Sequence, residues 1–270
     1  MSIIMISSDV AETEAIIAGK VAEEKGYALL DRRVLHDAAN RYGVKPERLN
    51  DALENRPSLL RRLPPRQWRY YLACIEAEVL DRLLVDNIIC RDVGAHLYVN
   101  GVSHAMKIRV LTGKQACREA AEREGGSLEK AEKQGFRMNR CRTAWSMAAY
   151  QKDEADPAGY DLVVSLDQID PVEAVRTIVG ASAYRKFQSM TYSTKCLTDL
   201  ALAARVRAAL LKSMSDMQVQ ARDGAVVVTA RALKRRKREK VEAIKQLAGQ
   251  IPGVGYVEVH VRNNIFRKAE

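Results

Sequence analysis

The sequence predicts an α/β fold, a parallel sheet layered between helices and followed by a small α+β module, on three observations. Short apolar runs alternate with helical patterns through residues 1–180. The pattern changes near residue 198 to helix, hairpin, helix and strand. The charge is divided just as unevenly: residues 191–270 hold 16 Lys+Arg against 7 Asp+Glu, while residues 1–190 hold 28 against 27. Alternation of strand-length and helix-length segments is the mark of a parallel sheet with crossover helices.

The apolar runs are Ile3–Ile6, Ala28–Leu30, Ile88–Cys90, Ile108–Leu111 and Leu162–Val164. Each is too short to be a helix and is expected as a buried strand. Among the helical segments the clearest stripe is Trp68, Tyr71, Leu72, Ile75, Val79 and Leu83, which lie on one face at 3.6-residue spacing. Residues 181–197 carry no sustained period and are expected as a linker. Beyond it, Thr198-Asp199 is expected to cap a helix carrying Leu202, Val206 and Leu210. Alternating residues on either side of Asp223-Gly224 predict a hairpin, Glu239–Gln250 a second helix, and Val257, Val259 and Val261 a last strand. The expected domains are therefore 1–180 and 198–264.

Composition narrows the class. A hydrophobic content of 47% in 270 residues supports a substantial core. No apolar run approaches the ~20 residues of a membrane span, and no export leader is apparent, so a cytoplasmic setting is expected. Cys74, Cys90, Cys117, Cys141 and Cys196 form no C-x-x-C pair, which favours free thiols over disulfides or zinc. The four histidines add no metal-ligand spacing.

In parallel sheets ligands bind beyond the carboxyl ends of the strands, so the residues after each run carry the functional reading. After the first run comes Ser8, Asp9, Val10, Ala11, Glu12, Thr13 and Glu14, with three acids and no glycine. A strand–turn–helix here is the place of a phosphate loop, which needs glycines so that backbone N–H groups can approach phosphate. Asp31 and Arg32 follow the second run, and Arg91 and Asp92 follow the third. Arginines there can grip phosphate with forked hydrogen bonds, or can form strand-end salt bridges. Arg137, Arg140 and Arg142 lie on a predicted helix that reads as a lid or as a solvated face.

Several stretches together resemble the cytidylate-kinase-like family of P-loop nucleoside monophosphate kinases. They are "EKGYALLDRRVLHDAANRYGV", "IICRDVGAHLYV", "KIRVLTGKQACREAAER" and "DPAGYDLVVSLDQIDPVEAVRTIV". The resemblance implies a P-loop kinase-like three-layer domain over residues 1–180. It implies an acceptor pocket for a nucleoside monophosphate or another phosphorylated small molecule at Asp31, Arg32, Arg91 and Asp92, and a lid bearing Arg137, Arg140 and Arg142. Cys90 stands where relatives carry glycine, and Gln134 where they often carry aspartate.

The donor side departs further. Glu12-Thr13-Glu14 falls where relatives carry a Gly-Ser-Gly-Gly turn. Gly19-Lys20 imitates the end of a phosphate-loop motif but lies about two turns into the helix, with Glu14 in place of the first glycine and Val21 in place of the Ser/Thr for magnesium. Each carboxylate would repel a triphosphate by about 1 kcal/mol if solvated and by more if buried. The expectation is impaired or lost phosphoryl transfer, in a nucleotide sensor or scaffold. ATP and magnesium would be cofactors only if turnover survives through an atypical loop.

The C-terminal αββαβ pattern, with "VQARDGAVVVTARA" and "AIKQLAGQIPGVGYVEVHV", resembles the BON family of small binding modules. That resemblance implies an anionic lipid surface or a protein as partner. The basic run Lys234, Arg235, Arg236, Lys237 and Arg238 is the matching surface, or a solvated turn. Without stacking aromatics beside it, nucleic acid is the weaker partner. If neither module binds nucleotide, the chain is an interaction protein for anionic surfaces.

Overall fold

The computed structural model describes residues 2–58, 63–113, 128–214, 217–232 and 236–263. Five parallel strands, β1 (Ile3–Ser8), β2 (Ala28–Leu30), β3 (Ile88–Arg91), β4 (Ala105–Leu111) and β5 (Leu162–Ser165), form a sheet in the order β2-β3-β1-β4-β5. Each predicted apolar run is a strand. β4 begins three residues early because Ala105, Met106 and Lys107 pair with Ile3, Ile4 and Met5.

Helices cover both faces. α1 (Ala11–Lys25) packs with Ile4, Ile6, Ile89, Ile108 and Val110 on one face, beside α7 (Pro171–Ser182). The other face carries α2 (Val34–Tyr42), α3 (Pro46–Glu54), α4 (Pro65–Leu83) and the short α5 (Ala95–Tyr98). β1 is central, so all six of its residues are buried, and Ile3 and Met5 point away from Ile4 and Ile6. Two further devices agree with the sequence: Asp170 and Glu173 form a capping box that starts α7 after Pro171 is set at its first position. α6 spans Leu128–Tyr150.

The C-terminal part follows the expected order. α8 (Thr191–Ser213), β6 (Met217–Arg222), β7 (Ala225–Ala232), α9 (Lys237–Gly249) and β8 (Tyr256–Asn263) build a three-stranded sheet in the order β6-β7-β8. β6 and β7 are antiparallel about Asp223-Gly224, whose φ values of 51° and 79° suit the tight hairpin turn. β7 and β8 are parallel.

The stretch 181–197, expected as a linker, is largely ordered structure. α7 runs to Ser182, a 3₁₀ turn covers Arg185–Phe187, and α8 starts at Thr191. Thr198 and Asp199 therefore lie inside α8 rather than capping it. Thr198 Oγ1 donates back to the Thr194 carbonyl at 3.0 Å, and Asp199 Oδ1 accepts the Asp223 N–H of the hairpin at 2.8 Å. The longer helix is explained by what it packs against. α8 is buried against α4 as well as against the small sheet, so Leu197, Ala201, Ala204 and Ala208 share one hydrophobic cluster with Ala73, Ala77, Val226 and Val228. Arg207 closes that seam with an ion pair to the buried Glu76 at 2.6 Å. No helix among the described residues is long and apolar enough to cross a membrane.

Candidate functional site

The carboxyl ends of β1, β3 and β4 converge on the turn that joins β1 to α1. Two residues, Asp9 and Val10, separate Ser8 from the first residue of α1. The helix thus leaves the strand almost directly, and the side chains of Ser8, Asp9 and Thr13 bond within the protein. Ser8 Oγ accepts the Val10 N–H at 3.3 Å and donates to Asp9 Oδ1 at 3.1 Å. That same oxygen accepts from the Thr112 N–H at 2.9 Å and the Thr112 hydroxyl at 2.7 Å, tying the turn to the end of β4. Thr13 Oγ1 lies 3.0 Å from Thr112 Oγ1, while Glu12 points to solvent. Gly19 and Lys20 sit within α1, far along from the turn, and Lys20 is exposed.

Glu14 occupies the centre. Its side chain, on the first turn of α1, is 2% exposed, and Oε2 accepts the Ser8 N–H at 2.9 Å. Arg91 Nη1 lies 3.9 Å from Oε1, and Arg142 Nη2 lies 4.0 Å from Oε2. An internal carboxylate thus takes a strand-end N–H and faces two guanidinium groups, the set of donors an external anion would use. Burial pushes its pKa up to about 7, helped by the charge of Asp92 and opposed by Arg142, by the Ser8 N–H and by Arg91.

The acceptor-side residues are brought together, since Leu30 of β2 pairs with Cys90 of β3. They differ in availability. Arg32 is held by three partners: Nε lies 2.8 Å from Asp92 Oδ2, and Nη1 donates to Asn50 Oδ1 at 2.8 Å and to Glu54 Oε1 at 2.5 Å. It fastens α3 to the end of β3. Asp31 accepts from Arg33 at both backbone N–H (3.0 Å) and Nε (2.9 Å). Burial works to raise its pKa, but those hydrogen bonds and the charges of Arg33 and Arg91 outweigh it and hold the carboxyl low. Arg91 has no ion pair among the described residues closer than its 3.9 Å approach to Glu14, so its fork is the uncommitted one. Asp92 turns the chain with φ 58°, and Gly94 continues it with φ 70°. A side chain at Gly94 would come within 3.1 Å of Trp145, so glycine lets α6 close on this loop.

The three arginines of α6 do not act together. Arg137 and Arg140 are exposed, whereas Arg142 turns inward. Its Nη1 donates to the Ser8 carbonyl at 2.7 Å, and its Nε and Nη2 both reach Glu154. One turn on, Trp145 Nε1 donates to the Ala52 carbonyl at 2.8 Å, an oxygen that also accepts from Trp68 Nε1 at 3.0 Å. The far end of α6 is thereby fixed over the β1–α1 turn. Lys234 and Arg235 of the basic run lie outside the described residues. Arg236, Lys237 and Arg238 are exposed at the start of α9.

Glu154 is the residue that the sequence reading missed. It is 4% exposed and gathers Arg142, the buried Arg109 (Nη1 at 3.3 Å) and the Ser7 hydroxyl (2.9 Å). His96 Nε2 lies 3.7 Å away, and Tyr160, whose ring stacks on His96, donates its hydroxyl to the Glu154 carbonyl at 2.7 Å. Burial alone would raise the Glu154 pKa, but Arg142, His96 and Arg109 bring it below the ordinary value. The signal was Arg109, set between Ile108 and Val110 in a strand expected to be buried: a buried guanidinium requires a carboxylate partner. Burial lowers the His96 pKa to about 4, so its ring is neutral at pH 7.

With this geometry in place, the profile of the cytidylate kinase-like family matches residues 3–168. The chain belongs to the cytidylate kinase-like family. The matched span contains the five-stranded sheet, the β1–α1 turn, Arg91, Arg142 and Glu154. The α/β domain with its parallel sheet is consistent with a P-loop kinase-like fold, and membership suggests a nucleoside monophosphate kinase-like protein with a nucleotide ligand. A crystal structure of an uncharacterized protein from Eubacterium ventriosum ATCC 27560 is similar at 15% identity and a TM-score of 0.49, covering 68% of this chain and 100% of that one. No curated protein matches the chain.

Proposed function

We propose that this member of the cytidylate kinase-like family binds a nucleoside monophosphate or a related phosphorylated small molecule at the Arg91 side of the site and does not transfer a phosphoryl group to it from ATP. The observation that carries this reading is Glu14. Its carboxylate already receives the Ser8 N–H at 2.9 Å and stands before Arg91 and Arg142. A triphosphate and its magnesium do not fit the residues present: the turn offers a buried carboxylate, no lysine, and an Asp9 side chain already clasped to Thr112. Phosphoryl transfer depends on positioned positive charge around the transferred group. Arg91 keeps that capacity for a monophosphate, while Arg142 is committed to Glu154 and Ser8.

In this reading the chain is a nucleotide sensor or scaffold. The BON-like C-terminal module is its output, coupled through α8, whose buried face is continuous with α4. Its exposed Arg236, Lys237 and Arg238 suit an anionic lipid or protein surface.

Calorimetry of the full chain with CMP, other monophosphates and ATP–magnesium tests the proposal. At least one monophosphate should bind, Arg91→Ala should weaken it by about tenfold or more through loss of a charge-assisted fork, and ATP should add no turnover. Robust phosphoryl transfer from ATP would overturn it.

A further inference from the structure

Two adjoining cavities lie at the other end of the sheet, by the amino-terminal parts of β4 and β5. One has a volume of about 450 Å³ and the other about 330 Å³, and Asn100, Lys107 and Tyr160 line both. Volumes of roughly 300–1,000 Å³ are those of small-molecule sites. Lys107 and Arg109 project from the same face of β4, two residues apart. Arg109 has Glu154 as its counter-charge. Lys107 Nζ makes no hydrogen bond or ion pair among the described residues. Lys152, which lines the larger cavity, donates only to neutral oxygens, Leu97 O at 2.7 Å and Asn100 Oδ1 at 2.6 Å.

The carboxylates at the rim have bonds of their own, those of Asp153 and Asp156 only to neutral donors. Asp161 pairs with Lys186 at 2.6 Å and accepts the Lys107 backbone N–H at 3.0 Å. Asp153 and Asp156 each accept a local backbone N–H at 2.9 Å, from Ala155 and Ala158. The half-buried Lys107 and the exposed Lys152 therefore face one concavity, neither in an ion pair of its own among the described residues. Burial lowers the pKa of both, and the charge of Lys152 lowers that of Lys107 further, opposed by the charge of Asp161. Leaving the half-buried Lys107 without a carboxylate in direct contact is unfavourable, and a bound anion would relieve it.

We propose that this double cavity is a binding site for a small anionic metabolite, a carboxylate or a phosphate monoester, with Lys107 as its central counter-charge and Lys152 as the second. The Tyr160–His96 stack forms a wall shared with the Glu154 cluster, so an occupant sits one residue layer from the residues that hold α6 down.

Low-salt calorimetry of the full chain with succinate and with inorganic phosphate tests the site. Wild type should bind one equivalent of at least one of them, the preference assigning carboxylate or phosphate. Lys107→Gln and Lys152→Gln should each weaken binding by about tenfold or more, the worth of one charge-assisted hydrogen bond. Lys107→Arg should stay within a few-fold of wild type, and Arg91→Ala should leave the Lys107-dependent binding unchanged, which separates this site from the monophosphate site. Without ligand, Lys107→Gln should melt no lower than wild type, because the native ammonium has no partner to lose. Binding of neither anion, equal binding by Lys107→Gln, loss of the Lys107-dependent binding in Arg91→Ala, or a lowered melting point of unliganded Lys107→Gln would each overturn the proposal.

Discussion

The β1–α1 turn and the segment just before β5 each place one buried carboxylate within reach of Arg142, and the two carboxylates behave in opposite ways. Glu154 is in direct contact with Arg142 and takes Ser7 at 2.9 Å and Arg109 at 3.3 Å, so its charge is matched. Glu14 has one N–H at 2.9 Å and two guanidinium groups only at 3.9 and 4.0 Å, so burial dominates and its pKa rises to about 7. An ångström of separation decides whether a buried carboxylate is a structural tie or one whose charge stays poorly matched. Charge–charge attraction grows steeply when direct contact excludes water, while the desolvation cost is nearly the same for both groups. The first carboxylate fastens Arg142 of α6, and the second takes the Ser8 N–H.

Breaking the tie should have the largest effect. Glu154→Ala leaves Arg109 and Arg142 buried without their carboxylate and should destabilise the fold by about 3–5 kcal/mol, read as a lower denaturant midpoint. If the tie also holds α6 on the turn, limited proteolysis should cut α6 near Arg137 and Arg140 faster in this variant than in a Trp68 variant of equal stability. Equal rates would mean that Trp145 alone anchors the lid.

The second test separates the two carboxylates by pH. A carboxyl with a folded pKa of about 7 and an ordinary value of 4.5 favours folding fully below 4.5, and that contribution is lost as pH rises through 7. The change is about 3 kcal/mol from the size of the shift. Glu154, lowered, acts in the opposite sense: its contribution is present above the ordinary range and is lost as pH falls below it. His96, lowered from 6.5 to about 4, also costs stability as pH falls through that interval, and it masks the Glu14 slope in wild type. The difference between wild type and Glu14→Gln removes that overlap. The stability advantage of the glutamine variant should grow steadily from pH 4.5 to 7. A difference independent of pH would show that Glu14 is already matched in charge, as Glu154 is.

How much of this was legible in the sequence follows from the same contrast. Strand positions were readable because burial on both faces forces continuous apolar runs such as Ile3–Ile6, and the hairpin because Asp223-Gly224 admits positive φ. The acids of the β1–α1 turn were visible, but not that Asp9 and Glu14 would satisfy the turn's own donors, which depends on Thr112 and on the Ser8 N–H in space. Arg32 and Arg91 look alike in sequence. Asn50 and Glu54 of α3 make one structural and leave the other open. The length of α8 was misread because its first turns are ordered by tertiary packing, with the buried Ser193 hydrogen-bonded to His104, and not by a local cap.

The smallest expected effect concerns the two arginines that share a helix with Arg142 but not its partners. Arg137 and Arg140 are exposed, while Arg142 is drawn in by Glu154, Ser8 and the more distant Glu14. An exposed arginine without a buried partner contributes little, so Arg137→Ala and Arg140→Ala should each change stability by less than about 0.5 kcal/mol. They should also leave monophosphate affinity unchanged, because α6 is already fixed at Arg142 and Trp145. A loss of affinity in either variant would place the ligand against the outer part of α6. The lid would then reach its ligand through Arg137 and Arg140, and the Arg142–Glu154 contact would serve only to hold the helix in place.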